Sequence, residues 1–163
     1  AYATTTAGAS AINGVFQAFY VSAFLQCWQM ELHWFMWGQV AFMVWNAIND
    51  PLFALLHDRD NGEGNVRRYS AAIRRGGPLF ALSFLLPWWS WGMGPTGVGL
   101  LFLAALCVFD GAFTYTVLAQ CALFAETETT DEGRSGLLAL NAAAATLGTL
   151  GHVGAYWLWA PCD

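Results

Sequence analysis

Asn46 and Asp50 stand four residues apart in an otherwise apolar run, and a four-residue step on a helix returns to the same face. An amide oxygen beside a carboxylate could coordinate a hard cation or pass a proton. If that run crosses a bilayer, the carboxylate costs about 2.5 to 3.5 kcal/mol at mid-membrane, so it ordinarily faces a bundle interior or a watery cavity. Asp58 lies two turns further along a similar face. For Asp50 the competing reading is helix glue, an acid tied to a polar neighbour; for Asp110 the two readings weigh equally.

Other chemistries have no footing. His33, His57 and His152 are scattered at expected helix ends, and the four cysteines form no CxxC or Cys/His cluster, so neither a metal site nor a redox motif is indicated. No nucleophile with a base and no phosphate loop is present, which argues against an enzyme and against a cofactor. Cys27 and Cys162 fall at helix ends on one side of the expected topology; a disulfide and two buried thiols both remain open there.

The elements that hold these residues follow from composition. The 163 residues are 57% hydrophobic and 10% charged, against about 25% charged in ordinary soluble domains. Nine Trp, twelve Phe and five Tyr, with long Leu and Ala runs, exceed what a soluble core of this size could hide. A spanning helix needs about 20 largely apolar residues. Five segments qualify, at about 3–25, 33–56, 78–94, 96–125 and 135–159, and predict an all-α polytopic membrane protein. Asn13 lies in the first and Asn141 in the fifth; small residues in both permit close helix packing in lipid. The third begins at Pro78 and runs into Trp88, Trp89 and Trp91, an aromatic belt.

Of the 17 charged residues, 13 lie in segments 57–75 and 126–134, which read as loops. All six cationic residues are arginines within them: Arg59, Arg67, Arg68, Arg74 and Arg75 in the first, Arg134 in the second. Positive charge is retained on the cytoplasmic side, so both loops are expected there, with the chain starting inside and ending outside. With no Lys and no basic stripe, nucleic acid is not a partner. A start on Ala and an end directly after an apolar run read as a fragment.

The run Trp45-Asn46-x-x-Asn49-Asp50-Pro51-Leu52-Phe53, then Asp58-Arg59, basic residues and Gly77-Pro78-Leu79-x-Ala81-Leu82-Ser83-Phe84-Leu85, with Asp110-Gly111 and Ala122-Leu123, resembles the major facilitator superfamily. Within it the chain is similar to the glycoside-pentoside-hexuronide:cation symporter branch, and there to the orphan transmembrane protein 180 family. The likeness runs from about Tyr2 to Trp159.

The resemblance implies helices one to five of a six-helix N-terminal bundle in a twelve-helix transporter, with the C-terminal half as its missing partner and alternating access as the mechanism. It implies a small polar solute such as a sugar, a coupling proton or cation at Asp50 and Asn46, and a cavity that Asn13 and Asn141 line. It also implies a cytoplasmic gate of Asp58, Arg59, Arg67, Arg68, Glu126 and Arg134, and a plasma-membrane location. Three departures stand out. Ala54 replaces a latch glycine, Asn46 replaces the first acid of the branch's cation cage, and Val117 falls where a helix-four acid belongs. One carboxylate holds Na⁺ poorly, so proton coupling, facilitated diffusion and a non-transporting membrane scaffold all stay open.

Overall fold

A computed structural model describes residues 2–58, 65–89, 92–127 and 130–158. The described chain is helical: α1 (Tyr2–Ser22) continued by a π-helical turn (Ala23–Cys27), α2 (Leu32–Asp58), α3 (Asn65–Ser83) followed by a 3-10 turn (Leu86–Trp88), α4 (Pro95–Thr127) and α5 (Asp131–Leu158). These helices form two compact units, residues 1–27 with 128–163, and residues 28–127.

Helix starts follow local chemistry. Thr130 caps α5 by accepting the Gly133 N–H through its hydroxyl at 3.2 Å, and Asp131 and Glu132 place negative charge on the positive end of the helix dipole. Pro95 opens α4 where its missing N–H costs nothing, while the Gly94 carbonyl accepts from Val98. Before α2 the chain turns through Gln29, in the left-handed region with φ 46, and the Glu31 carbonyl takes the N–H groups of Trp34 and Phe35. The Trp28 indole N–H then bonds the Pro87 carbonyl at 2.9 Å, fastening the start of α2 to the turn after α3.

In the first unit α1 and α5 run parallel, since their contacts climb both helices together: Thr6 with Asn141, Ala11 with Gly151, Gly14 with His152, Phe19 with Tyr156. The seam is built for closeness. A Cβ on Gly148 would press into the Ala7 backbone carbonyl and come within 2.8 Å of Ser10 Cβ, so only glycine fits.

In the second unit α4 is the shared helix. It runs parallel to α2, with Trp34 over Gly99, Phe102 over Gly38, Asn49 beside Asp110 and Phe53 edge-on to Tyr115. It runs antiparallel to α3, where Gly76 meets Thr116 and Phe80 meets Phe109 and Phe113. Phe102 and Ala105 are fully buried, and Phe80, Leu106 and Phe109 nearly so.

Two expectations are corrected. Residues 65–75 are helix, not loop, and the expected helix at 78–94 is displaced: α3 ends at Ser83 and keeps Pro78 inside it. The arginines there read as a solvated loop, yet they sit on one side of a helix whose other side buries Tyr69 and Ala72. Among the described residues, three of the five helices are long and apolar enough to cross a membrane by length and composition alone: α1 with its π turn (Ala3–Cys27), α4 and α5. Polar Asn46, Asn49 and Asp50 dilute α2, and the arginine-bearing first half of α3 leaves it a short apolar stretch.

Cys27 is disulfide-bonded, and Cys107 and Cys121 are free thiols. Arg59, Trp91 and Cys162 lie outside the described residues, as do the side chains of His57 and Asp58.

Candidate functional site

Asn49 is the most deeply buried polar side chain described, at 0% exposure, and it faces α4. Its amide nitrogen donates to Asp110 Oδ2 at 2.7 Å and to Thr114 Oγ1 at 3.2 Å. The Thr114 hydroxyl in turn donates to Asp50 Oδ1 at 3.4 Å. Two carboxylates, one from each helix, are thus linked through one amide and one hydroxyl.

Helix register produces this arrangement. Asp110 and Thr114 are four apart on α4 and so lie on one face; Asn49 and Asp50 are adjacent on α2, so that one points between the helices while the other lies at the exposed edge. Gly111 gives the interface its closeness: a Cβ there would meet Trp45 Cζ2 at 3.4 Å, Phe53 Cε2 at 3.7 Å and Asn49 Oδ1 at 3.9 Å. Depth follows from length. At about 1.5 Å per residue, Asp110 is about 22 Å from the first residue of α4 and about 25 Å from the last, close to the middle of a membrane-spanning helix.

One polar atom in this knot is left over: Asn49 Oδ1 is buried without a hydrogen-bond partner, an unused acceptor, while the Trp45 indole is a further donor toward the Asp110 carboxylate. Buried polar groups are nearly always satisfied, because leaving one bare costs about 1 to 3 kcal/mol. A site that takes up a proton, a water or a small cation has a use for such groups.

The expected coupling pair is only partly in this knot. Asn46 and Asp50 share a face, and both are exposed; Asp50 joins through Thr114 and Asn46 stands outside. Asn49, Thr114 and Trp45 were not singled out by spacing, although Asn49 lay in the same polar cluster. Of the expected cavity residues, Asn13 is half-buried, and Asn141 accepts a hydrogen bond from the Thr6 hydroxyl across the α1–α5 seam. Of the expected gate residues, Arg68 reaches the Leu56 carbonyl at 3.5 Å, placing a cation over the negative C-terminal end of α2, and also lies over the Tyr69 ring. Arg67, Glu126 and Arg134 are exposed.

Three comparisons with known proteins bear on this geometry. The family model described as MFS/sugar transport protein matches residues 1–158. Transmembrane protein 180 of Gallus gallus is 30% identical over 170 residues, covering 97% of this chain and 32% of its own length. The Mus musculus protein of the same name is 32% identical over 162 residues, covering 92% and 30% respectively. The chain therefore spans about a third of the length of these curated relatives. No solved structure matches it.

Proposed function

The chain belongs to the MFS/sugar transport protein family, and from that premise we propose that it is the N-terminal part of a secondary-active transporter for a small polar solute. In this reading it supplies five helices of a six-helix half that rocks against a second half of the same protein. The observation that carries the proposal is the Asn49–Asp110 bond. A carboxylate is kept at mid-membrane depth on a buried amide, with a second carboxylate two bonds away through Thr114.

Intramembrane acids are rare and mark ion or solute paths. The proposed coupling site is therefore Asp50 and Asp110, with Asn49 and Thr114 between them and Asn46 on the exposed face beside Asp50. A proton suits it better than Na⁺, since a lone pair of carboxylates joined by hydrogen-bonding groups can hold and pass a proton without the full oxygen cage that a metal cation needs. Asn13 and Asn141 are the proposed polar lining. Asp58, Arg59, Arg67, Arg68, Glu126 and Arg134 are the proposed cytoplasmic gate, in which Arg68 already ties α3 to the end of α2. The sugar substrate rests on the family's description, and the plasma membrane is the proposed location.

A second reading, a membrane scaffold that no longer transports, is favoured by Asn46 and Val117, which stand where the resemblance calls for acids.

Uptake of labelled hexoses and pentoses by the full-length protein in proteoliposomes, with and without an inward proton gradient, separates the two. Gradient-driven uptake that loses its pH dependence in Asp50→Asn and Asp110→Asn supports the proton-coupled reading. Flux unchanged by both substitutions at every pH removes the carboxylates from the mechanism, and no uptake of any sugar favours the scaffold.

A further inference from the structure

If α3 crosses the bilayer, its second pair of arginines, Arg74 and Arg75, falls deeper than the boundary they are expected to mark. Arg74 and Arg75 are exposed, and the positions one turn further along their rows are also exposed: Pro78 then Leu82 after Arg74, and Leu79 after Arg75. Leu79 and Leu82 are each 61% exposed, as suits side chains in contact with lipid tails. The opposite side buries Ala72, Phe80 and Ser83. One turn, about 5.4 Å, therefore separates Leu79 from the Arg75 guanidinium, and two turns separate Leu82 from Arg74 on the same face.

The length of the element makes this quantitative. From Arg75 to Ser83 the helix rises about 12 Å at 1.5 Å per residue, and the turn with the 3-10 segment Leu86–Trp88 adds about 9 Å more. Arg75 is thus about 20 Å from the outer tryptophans, Trp88 and the 67%-exposed Trp89. The hydrocarbon layer is about 30 Å thick. With the turn counted as continuing the helix rise and Trp88 set at the outer boundary, Arg67, two turns before Arg74, lies about 33 Å away at the inner boundary, and Arg74 and Arg75 fall about 10 Å inside it. Among the described residues neither has a carboxylate partner. An arginine in that position snorkels toward the headgroups while the bilayer thins locally, and its fork of donors matches a phosphate.

We propose that Arg74 and Arg75, with Arg67 above them, form a binding surface for the phosphates of anionic phospholipids in the cytoplasmic leaflet, drawn down over the short apolar half of α3. Arg68 takes no direct part, being engaged with the Leu56 carbonyl and the Tyr69 ring. The inference rests on α3 crossing the bilayer and is independent of transport, so a protein that moves no solute would still show it.

The test uses the full-length protein in nanodiscs of phosphatidylcholine with and without phosphatidylserine, reading lipid retention by native mass spectrometry and Tm. Wild type is expected to retain phosphatidylserine and gain Tm from it. R74Q/R75Q is expected to weaken retention by about thirty-fold, about fivefold for each charge lost. R74K/R75K should keep most of it, because the charge remains. Equal retention of the two lipids by wild type, or unchanged phosphatidylserine retention in R74Q/R75Q, overturns the proposal. Should R74Q/R75Q fail to fold, the wild-type comparison decides alone. Displacement of the lipid by millimolar inorganic phosphate would overturn the lipid as the partner and leave a soluble anion site.

Discussion

The two units hold their helices together in different ways. Along α1 and α5 the contact is made by Ala7, Ser10, Ala11 and Gly148, where backbone nearly touches backbone. Between α2 and α4 it is made by large rings set into glycine notches, Trp34 on Gly99 and Phe102 on Gly38, around one polar knot. Lipid tails are as apolar as leucine, so neither pair gains from hiding oil; the first relies mainly on dispersion at short range, with the single Thr6–Asn141 bond near one end, the second on a hydrogen-bonded knot with no competing water. Dispersion over small residues tolerates many registers as long as the surfaces stay smooth. A bond such as Asn49–Asp110 selects one register. The first unit is a seam and the second a latch, which suits a site whose polar atoms must be held in place.

The strongest way to break this contrast is at the seam. Gly148→Ala puts a methyl group into the Ala7 carbonyl, and a backbone atom cannot swing aside as a side chain can. The expected cost is about 3 kcal/mol, the upper end for overpacking, read as a loss of Tm or of denaturant resistance in the full-length protein. Wild-type stability in Gly148→Ala would mean that α1 and α5 do not meet as closely as described.

The latch is tested next. Asn49→Leu keeps the branched, four-heavy-atom shape but puts bulkier methyls in place of the amide, which takes one donor from Asp110 and leaves Thr114 without its bond to the amide. The expected loss is about 2 kcal/mol, less than in a dry soluble core because membrane-embedded polar groups find substitutes. A double-mutant cycle with Asp110→Asn should return a coupling energy of about 1 kcal/mol, and additivity would show that the two side chains do not cooperate.

How much of this could be read in the sequence differs between the two units and for physical reasons. Apolar runs announced α1, α4 and α5 because their average composition alone demands lipid. The start of α3 stayed hidden because Arg67, Arg68, Arg74 and Arg75 dominate local composition, while the sign of helix there was where the small and aromatic residues fall: Tyr69, Ala72, Gly76 and Phe80 repeat every three or four positions. Pro78 misled in the same direction, since proline commonly opens a helix but is also tolerated inside one within a membrane. At the site, spacing placed Asn46 and Asp50 on a common face, and they are. Spacing within one helix cannot say which face meets α4, and that choice made Asn49 the inner residue. Thr114 carried no signal of its own, because a lone threonine in a helix commonly bonds back to its own backbone, as Thr116 does to Ala112.

The smallest expected effect sharpens the comparison most. Gly151 lies three residues beyond Gly148 on the same seam, but a Cβ there would meet only Ala11 Cβ, at 3.4 Å, which is a close but ordinary contact between two methyl groups. Gly151→Ala and Gly148→Ala make the same chemical change and gain the same helix propensity, about 1 kcal/mol. At Gly151 that gain meets little opposition, so the variant should be within about 0.5 kcal/mol of wild type or slightly more stable. Propensity, hydrophobicity and unfolded-state entropy cancel between the two variants, and what remains is the backbone contact alone. If both variants lose stability equally, the seam is tight along its whole length and Ala7 has no special place in it. If neither does, α1 and α5 are held by Thr6 with Asn141 and Phe19 with Tyr156 instead, and the first unit would then resemble the second.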